Sequence, residues 1–423
     1  CKCAGGLICQ LSLVSHSFKS EMGILTTLLS LLSKISLFLL LLAVVPGLPP
    51  YVEFEAFSVT PPVPLQGLLA LNSRLNGAER LLEGQIHGPE DLKVHNGQLY
   101  TSLHGGHVVR IVNDRVESVV KFGQDCEGFH EEDKCGRPLG LAFDKNGKLY
   151  VADAYYGVFK VDPSTGKSVK LVSMNDTIDG KKPRIPNGVT VASDDSVYWT
   201  DSSTSHSLHD GLFTALANGN GRLLKYSPST KSNTVLLDKI NFPNGVALSA
   251  DESFLVVSET LFHRLIKYHL RGPKVGQSEV FLDGLPGMPD NIHPDGQGGF
   301  VVSLVVTRDS DSSSPITSLG PYPLVRKLVA RGMYLTQAVL KLLRDFYPVD
   351  LLKRSVHIVG HFESLPAPSV PRATVLFLTG EGKVSRSLYA TDGLTGVSDC
   401  VRFGDYYYLG SPFNHFLARV KAD

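Results

Sequence analysis

The chain has 423 residues, enough for one large domain or two ordinary ones. Hydrophobic residues make up 43% and charged residues 19%, which excludes an intrinsically disordered chain. Lys plus Arg and Asp plus Glu both number 41, so there is no basic surplus and no nucleic-acid partner is expected. The 40 Gly and 25 Pro favour a turn-rich β architecture.

The first predicted element is an apolar helix within "MGILTTLLSLLSKISLFLLLLAVVPGLPP", residues 22–50, interrupted only by Lys34. As one helix it is long enough to span a bilayer, whereas the part after Lys34 has the length of a signal peptide. We predict a signal anchor over residues 22–48, with a cleaved signal peptide as the alternative. Residues 1–21 are expected to form an N-terminal tail upstream of the native start, and residues 49–78 a stalk.

Cysteines and a sequon indicate an exported domain. Cys126 and Cys135 in "CEGFHEEDKC" would close a short loop if they form a disulfide, and Cys/His metal spacings are absent from the sequence. Asn175 in "NDT" is a glycosylation sequon, usable only in the secretory lumen. We therefore expect a single-pass type II membrane protein with its main domain lumenal or extracellular, or, if the signal is cleaved, a secreted protein.

One turn recurs six times along residues 79–423. Each copy ends in an aliphatic residue, and a polar corner and an aromatic or β-branched strand follow it. The six copies read "GPEDL", "RPLGL", "IPNGV", "FPNGV", "MPDNI" and "VSDCV".

A spacing of about 50 residues with several strands per unit predicts a β-propeller. Six turns predict six blades, and "ERLLEGQIH" (79–87) would complete the last blade and close the ring. The fold class is therefore all-β, with the propeller over residues 79–423. The alternatives are an open β-solenoid, two sandwiches or a seventh blade.

A helical insertion is predicted over residues 307–355, inside the one long interval between turns. A Ser/Asp-rich linker leads into "PLVRKLVARGMYLTQAVLKLLRDFYPVDLLKR", where apolar residues recur at helical spacing and seven Lys or Arg accompany two Asp. A basic amphipathic segment of this kind covers the mouth of the ring, touches a membrane surface, or packs on the propeller rim.

The third residue of each turn is rich in oxygen. Because equivalent turns of a propeller point the same way, these side chains are expected to converge on the central axis. Carboxylate and amide oxygens suit Ca²⁺, and the lack of His or Cys there argues against Zn²⁺. The alternative is that Asn-Gly and Asp-Asn are simply good turn formers, which does not account for a Glu in the series. The predicted metal ligands are Glu90, Asn187, Asn244, Asp290 and the adjacent Asn291.

Candidate catalytic residues are fewer. His104 and His107 in "HGGH" come just after the strand of the first repeat and are candidates, although a solvent-exposed turn is the favoured interpretation. Asp290 and Asp399, the third residues of the last two turns, are further candidates for a general base. The sequence contains no G-x-S-x-G motif, so a serine hydrolase is not indicated.

The motifs "AERL", "GPED", "CGRPLGL", "LYVADAY", "FPNGVALS", "PGMPDNI" and "YLGS" resemble those of the strictosidine synthase-like six-bladed propellers. The resemblance runs from about residue 79 to residue 420. Paraoxonases and regucalcin-type lactonases share this fold and an axial Ca²⁺ site. The resemblance implies that the five oxygen-bearing residues above are Ca²⁺ ligands.

The resemblance also implies a Ca²⁺-dependent hydrolase acting on small-molecule aryl esters or lactones. The departures concern the general base. Leu139 stands where paraoxonases carry a His, and Tyr155–Tyr156 stand about where paraoxonases carry the second His of the pair. Gly188 replaces an Asp of their second Ca²⁺ site, although Asp91 is kept. Strictosidine synthase itself uses a Glu in its sixth blade, for which Asp399 is the nearest match, so alkaloid condensation is not expected. The alternative is a membrane-tethered propeller that binds a protein or small molecule, with Ca²⁺ in a structural role.

Overall fold

The repeated turn starts the innermost strand of a blade each time it occurs. The computed structural model describes residues 4–310, 315–362 and 370–422, and in it 24 strands form six four-stranded antiparallel sheets. The strands of the first three blades are, in chain order after β1 (Glu79–Leu81), β2 (Leu92–His95), β3 (Gln98–Ser102), β4 (His107–Val112), β5 (Arg115–Lys121), β6 (Pro138–Phe143), β7 (Leu149–Asp153), β8 (Gly157–Val161), β9 (Ser168–Val172), β10 (Pro186–Val191), β11 (Val197–Asp201), β12 (Gly221–Ser227) and β13 (Ser232–Ile240).

The other three blades follow the same order. Their strands are β14 (Pro243–Leu248), β15 (Phe254–Glu259), β16 (Arg264–His269), β17 (Ser278–Leu282), β18 (Gly287–Pro294), β19 (Phe300–Thr307), β20 (Ala373–Leu378), β21 (Val384–Ala390), β22 (Asp399–Phe403), β23 (Tyr406–Gly410) and β24 (Leu417–Lys421). The sixth blade has the order β1-β24-β23-β22, so the N-terminal strand closes the ring as predicted. Glu79 pairs in register with Arg419, and their side chains form an ion pair at 2.6 Å. The predicted six-bladed propeller is confirmed.

The core lies between neighbouring blades. Strands β7 and β11 are buried along their whole length, because each blade covers a face of the next. Trp199 on β11 is fully buried against Tyr150 and Val189 of the second and third blades, and its indole Nε1 donates to Asn233 Oδ1 at 3.0 Å. The outermost strands alternate or are largely exposed, as in β9 and β17. The β-branched and aromatic composition of the strands is what such two-sided burial requires.

Six helices accompany the propeller in the described residues. They are α1 (Ala4–Val44), α2 (Glu132–Cys135), α3 (Gly211–Leu216), α4 (Pro315–Ser318), α5 (Pro323–Phe346) and α6 (Asp350–Gly360). Within α1, Ile24–Val44 is long and apolar enough to cross a membrane by length and composition. Residues 363–369 and residues 311–314 of the predicted Ser/Asp-rich linker lie outside the described residues.

The segment predicted as a stalk contacts the propeller along its length. Backbone amides of Val63 and Leu75 donate to the carbonyls of Gly284 and Tyr389, at 2.8 and 2.9 Å, and Leu75 is fully buried. The division of the chain into tail, anchor, stalk and propeller stays a prediction.

Antiparallel alternation puts the functional loops on one face of the ring. The connections from blade to blade, and those between the second and third strands of a blade, leave the same end, which we call the upper face. It carries the loops 103–106, 122–137 and 202–220 and the insertion between β19 and β20. The opposite end, the lower face, carries hairpins such as 270–277, between β16 and β17.

Candidate active site

A cavity of about 130 Å³ lies at the upper end of the propeller axis. Four of the five predicted metal ligands line it: Glu90, Asn187, Asn244 and Asp290. Each is at most 4% exposed. The propeller thus brings one residue from each of four blades to one place, as the repeat predicts.

These four side chains share an electrostatic feature. One side-chain oxygen of each is buried without a hydrogen-bond partner in the described part of the chain: Glu90 Oε2, Asn187 Oδ1, Asn244 Oδ1 and Asp290 Oδ1. Leaving a buried polar atom unpaired costs about 1–3 kcal/mol. Glu90 Oε2 lies 3.3 Å from Arg137 Nη2, but together the four oxygens indicate a ligand that the chain itself does not supply. Two carboxylates and two amides form the oxygen-rich donor set that Ca²⁺ prefers.

The backbone around the cavity fixes their orientation. The Asn187 amide nitrogen donates to Ser202 Oγ at 3.1 Å, which leaves its oxygen to face the axis. Thr200 Oγ1 donates to the Asn244 carbonyl at 2.7 Å, tying the third blade to the fourth. A Cβ on Gly188 would lie 2.4 Å from the same carbonyl. Neither Gly188 nor Gly245 has a positive φ, so a tight turn does not account for these glycines. The Asn-Gly pairs instead allow neighbouring inner strands to approach closely.

The axial carboxylates have less positive charge near them than they need to stay ionised. Burial raises the pKa of Asp290 to about 8, and repulsion by Asp399 adds to the rise, while the Asn244 amide opposes it. Burial also raises the pKa of Glu90 well above its usual range; Arg137 opposes this rise and Asp290 reinforces it. A bound cation would reverse both shifts. In the described residues no group of three or more His, Cys, Asp or Glu side chains has metal-binding geometry, so an ion here depends on the amides as well.

An ionic cluster borders the cavity on the side of the Cys126–Cys135 loop, whose two Cα atoms are 5.6 Å apart across the disulfide. Arg137 Nη2 lies 3.3 Å from Glu90 Oε2, and its Nε lies 3.8 Å from Glu132 Oε1. Glu132 Oε1 also lies 2.6 Å from His104 Nδ1, and its Oε2 lies 3.6 Å from His361 Nε2. All of these side chains line the cavity.

Glu132 is held as a carboxylate. Burial raises its pKa, but the charge of His104, its hydrogen bond and the hydrogen bond from His361 outweigh burial and leave the pKa of Glu132 well below its usual range. His104 Nε2 lies 3.0 Å from the Pro412 carbonyl. The two ring nitrogens of His104 thus face a carboxylate and a carbonyl, both of which are hydrogen-bond acceptors.

The other predicted site residues are not all in the cavity. Asn291 lines a second, lower cavity of about 740 Å³, with its amide nitrogen 3.5 Å from the Glu90 carbonyl. His107 is at the start of β4, half-buried and away from the lining. Leu139 is in the wall. Asn175 is exposed in the turn after β9, and its glycosylation stays a prediction.

Asp399 lies below the cavity because the sixth turn is shifted by one residue. Its Oδ2 accepts from the Leu92 amide at 2.9 Å, just as Asp91 Oδ2 accepts from the Leu141 amide at 2.6 Å. Asp399 is thus the counterpart of Asp91, and Ser398 is the counterpart of Glu90. The ammonium of Lys93 donates to Asp91 and lies 3.9 Å from Asp399, so this lower acidic pair already has a cation.

Glu132, Arg137 and His361 were missed by the sequence analysis. Glu132 and Arg137 lie in and just after the Cys126–Cys135 loop, which leads into the second blade on the upper face. The two adjacent glutamates between the cysteines of this loop are a sequence signal that could have identified Glu132 as a candidate site residue. His361 follows α6, and nothing local in the sequence places the end of that insertion in the cavity.

Fold and cavity together define a six-bladed propeller with a buried, oxygen-rich centre on its axis. A model of strictosidine synthase matches residues 187–273, and one of the strictosidine synthase-like N-terminal region matches residues 67–111. The chain is 45% identical over 409 residues to adipocyte plasma membrane-associated protein Hemomucin of Drosophila melanogaster, covering 95% of this chain and 70% of that protein. It is 34% identical over 377 residues to adipocyte plasma membrane-associated protein of Mus musculus, covering 88% and 84%.

The chain belongs to the strictosidine synthase-like family, in the group of the adipocyte plasma membrane-associated proteins. A solved gluconolactonase of Xanthomonas campestris superposes with a TM-score of 0.51 at 15% identity, covering 90% of this chain and 99% of that one. This likeness shows the fold alone.

Proposed function

We propose that the protein is a membrane-anchored, Ca²⁺-dependent hydrolase that acts on aryl esters or lactones. The observation that carries the proposal is the convergence of four buried side-chain oxygens from four blades in a cavity that also has apolar walls. An ester or lactone presents a neutral carbonyl that fits such a cavity and develops negative charge on attack.

Glu90, Asn187, Asn244 and Asp290 would hold the ion, and Asn291 is expected to contribute from just below. When bound, Ca²⁺ would polarise the substrate carbonyl and stabilise charge on its oxygen. Arg137, held by the Gly88 carbonyl at 3.3 Å and by Glu90, would keep Glu90 ionised and oriented.

His361 is the residue we assign as general base. As water attacks the carbonyl carbon, the new C–O bond forms and the proton of the water passes to the His361 imidazole. Glu132, 3.6 Å from His361 Nε2, would stabilise the resulting imidazolium. Cleavage of the C–O bond to the leaving group then releases an alkoxide or phenoxide, which takes that proton back. His104 would hold Glu132 in place.

Apolar walls would bind the rest of the substrate. Phe242, Leu261, Met288 and Phe362 line the cavity, with Phe242 and Phe362 in edge-to-face contact at 5.4 Å between ring centroids. A volume of about 130 Å³ suits a small aryl group or a lactone ring rather than a large conjugate. The anchor over residues 22–48 would place the propeller on the lumenal or extracellular side of a membrane.

A second candidate function is a non-catalytic propeller that binds a protein or small molecule, with structural Ca²⁺. The observation that favours it is the Arg137–Glu90 ion pair, which already neutralises one of the two axial carboxylates. In that case the ion would be enclosed by protein oxygens and would not contact a substrate.

The deciding experiment measures phenyl acetate hydrolysis by the full chain in detergent, with Ca²⁺ or with a chelator. Turnover that requires Ca²⁺ and is lost in Asn244→Ala supports the hydrolase. Asn146→Ala, an exposed turn position on the lower face, is the matched control. If no turnover occurs and the chelator only lowers the melting temperature, the second candidate is correct.

A further inference from the structure

Helix α5 turns its polar side inward. Its buried residues are Arg326, Ala330, Arg331 and Gln337. Most of its exposed residues are aliphatic or aromatic. Those on the outer surface of α5 and α6 include Val339 (57% exposed), Leu342 (58%), Phe346 (72%), Leu351 (74%) and Ile358 (58%). We call this set the outward apolar face. A helix on a soluble domain normally has the reverse arrangement.

Specific partners fix this orientation. Arg326 Nη1 donates to the Leu216 carbonyl at 2.8 Å, and Gln337 Nε2 donates to Asp210 Oδ1 at 2.7 Å. Rotating α5 to bury its apolar side would break these bonds and leave a buried guanidinium unpaired, which is costly. The outward apolar face therefore stays outside for as long as α5 is docked on the propeller.

The C-terminal end of α1, the predicted anchor helix, contacts α5. Arg331 Nη1 donates to the carbonyls of Leu42 and Val45 at 2.6 and 2.9 Å, and its Nη2 donates to that of Leu48 at 3.2 Å. These include carbonyls at the C-terminus of α1, which lack partners within the helix. Only 6% of the most apolar window of α1 is buried in protein. A membrane that surrounds α1 therefore ends close to the middle of α5.

Charge at the edge of the face suits a lipid surface. Lys341, Arg344, Lys353 and Arg354 border the apolar residues. Arg344 and Arg354 pair with Asp345 and Asp350 at 2.8 and 2.7 Å, and Lys353 lies 3.5 Å from Glu131, so the border is basic but partly neutralised. Apolar residues with basic neighbours are the composition of helices that lie in the headgroup region of a bilayer. Contiguous apolar patches made of several large side chains seldom stay exposed to water.

We propose that the outward apolar face of α5 and α6 lies in the bilayer leaflet next to the C-terminal end of α1. The propeller is then held by two contacts, the spanning helix and this face, with its upper end toward the lipid. The occupant of the face is a phospholipid surface. Coverage by a second copy of the chain is the competing outcome.

The test uses the full chain in phospholipid vesicles with and without brominated acyl chains, which quench nearby tryptophan. The single native tryptophan, Trp199, is buried between blades and gives a constant background. Leu342→Trp and Phe346→Trp report on α5, and Ile358→Trp reports on α6. Val275→Trp, at a 60% exposed apolar position in the lower-face hairpin, is the matched control.

We expect the three reporter variants to lose emission in brominated vesicles and to resist quenching by soluble acrylamide. Val275→Trp should show the opposite behaviour. If the reporters are quenched by acrylamide as strongly as the control, the face is in water and the proposal is wrong. If they resist both quenchers, protein covers the face and the proposal is equally wrong.

Discussion

Arg137 Nη2 lies 3.3 Å from Glu90 Oε2 in the cavity where the axial oxygens converge. Arg137 is 1% exposed and also reaches Glu132, so it joins the predicted cation site to the proposed proton-transfer site. It supplies part of the positive charge that the axial carboxylates need. Arg137 and a bound cation should therefore compensate for one another.

Arg137→Gln should lower the free energy of unfolding in the presence of a chelator by about 3–5 kcal/mol, because it leaves the Glu90 carboxylate buried without its ion-pair partner. Added Ca²⁺ should recover more stability in this variant than in the wild type, since the ion then neutralises an unpaired Glu90. Urea unfolding of the full chain with and without Ca²⁺ measures both quantities.

Arg222→Gln is the matched control for that comparison. Arg222 is also 1% exposed and pairs with Asp201 at 2.8 Å, in the third blade and outside the cavity lining. Arg222→Gln should lower the free energy of unfolding by a similar amount, and added Ca²⁺ should not restore it. Equal recovery in both variants would mean that calcium does not act at Glu90.

His361→Gln should reduce kcat for phenyl acetate by about 10²–10⁴-fold, the usual contribution of a general base. Calcium-dependent stabilisation should be unchanged, because His361 is not among the predicted ligands. Stopped assays at saturating substrate, paired with melting temperatures at several Ca²⁺ concentrations, separate the two effects. His107→Gln serves as control, since His107 lies outside the cavity, and a loss of activity there but not in His361→Gln would reverse our assignment.

Glu132→Gln should also lower kcat, because a neutral amide stabilises the imidazolium of His361 less than a carboxylate does. A pH profile of kcat/KM distinguishes this role from a structural one, because its acidic limb reports protonation of the free base. A neutral partner disfavours the imidazolium of His361, so we expect the acidic limb to move to lower pH in this variant. An unchanged profile would assign Glu132 to packing alone.

The repeat was readable from the sequence because its signal is local. A turn, a polar corner and a strand recur within each blade, and the third residue of four turns predicted the axial residues Glu90, Asn187, Asn244 and Asp290. The sixth turn, "VSDCV", lacks the proline that sets the register of the others, so Asp399 was aligned one residue out of place. Register errors of one residue exchange the two faces of a strand.

The proposed proton-transfer residues, His361 and Glu132, could not be predicted from the repeat. His361 and Glu132 come from two connections that differ in length and occur once each, and only the folded ring brings them within 3.6 Å. The orientation of α5, with its polar side toward the propeller, could not be predicted from the sequence either. Helical spacing predicted an amphipathic helix, but which side faces the protein depends on partners such as Asp210 and the Leu216 carbonyl.

His263 should make stability depend on pH. It is 1% exposed in the loop between β15 and β16, and burial, followed by repulsion from Arg308, lowers the pKa of His263 to about 3. The unfolded chain, with an ordinary imidazole pKa near 6.5, binds a proton that the folded chain does not over this interval. Stability is therefore full above about pH 6.5 and falls by roughly 1 kcal/mol per pH unit below it.

His263→Asn should make the decline between pH 6.5 and about pH 4 shallower, because it removes this titration. Asparagine tolerates the left-handed backbone at this position, where φ is 53°. Urea unfolding of the full chain across this range gives the slope for each variant. His95→Asn, which removes a half-buried imidazole near the lower face, is the matched control. The same slope in His263→Asn and wild type would show that another group drives acid unfolding.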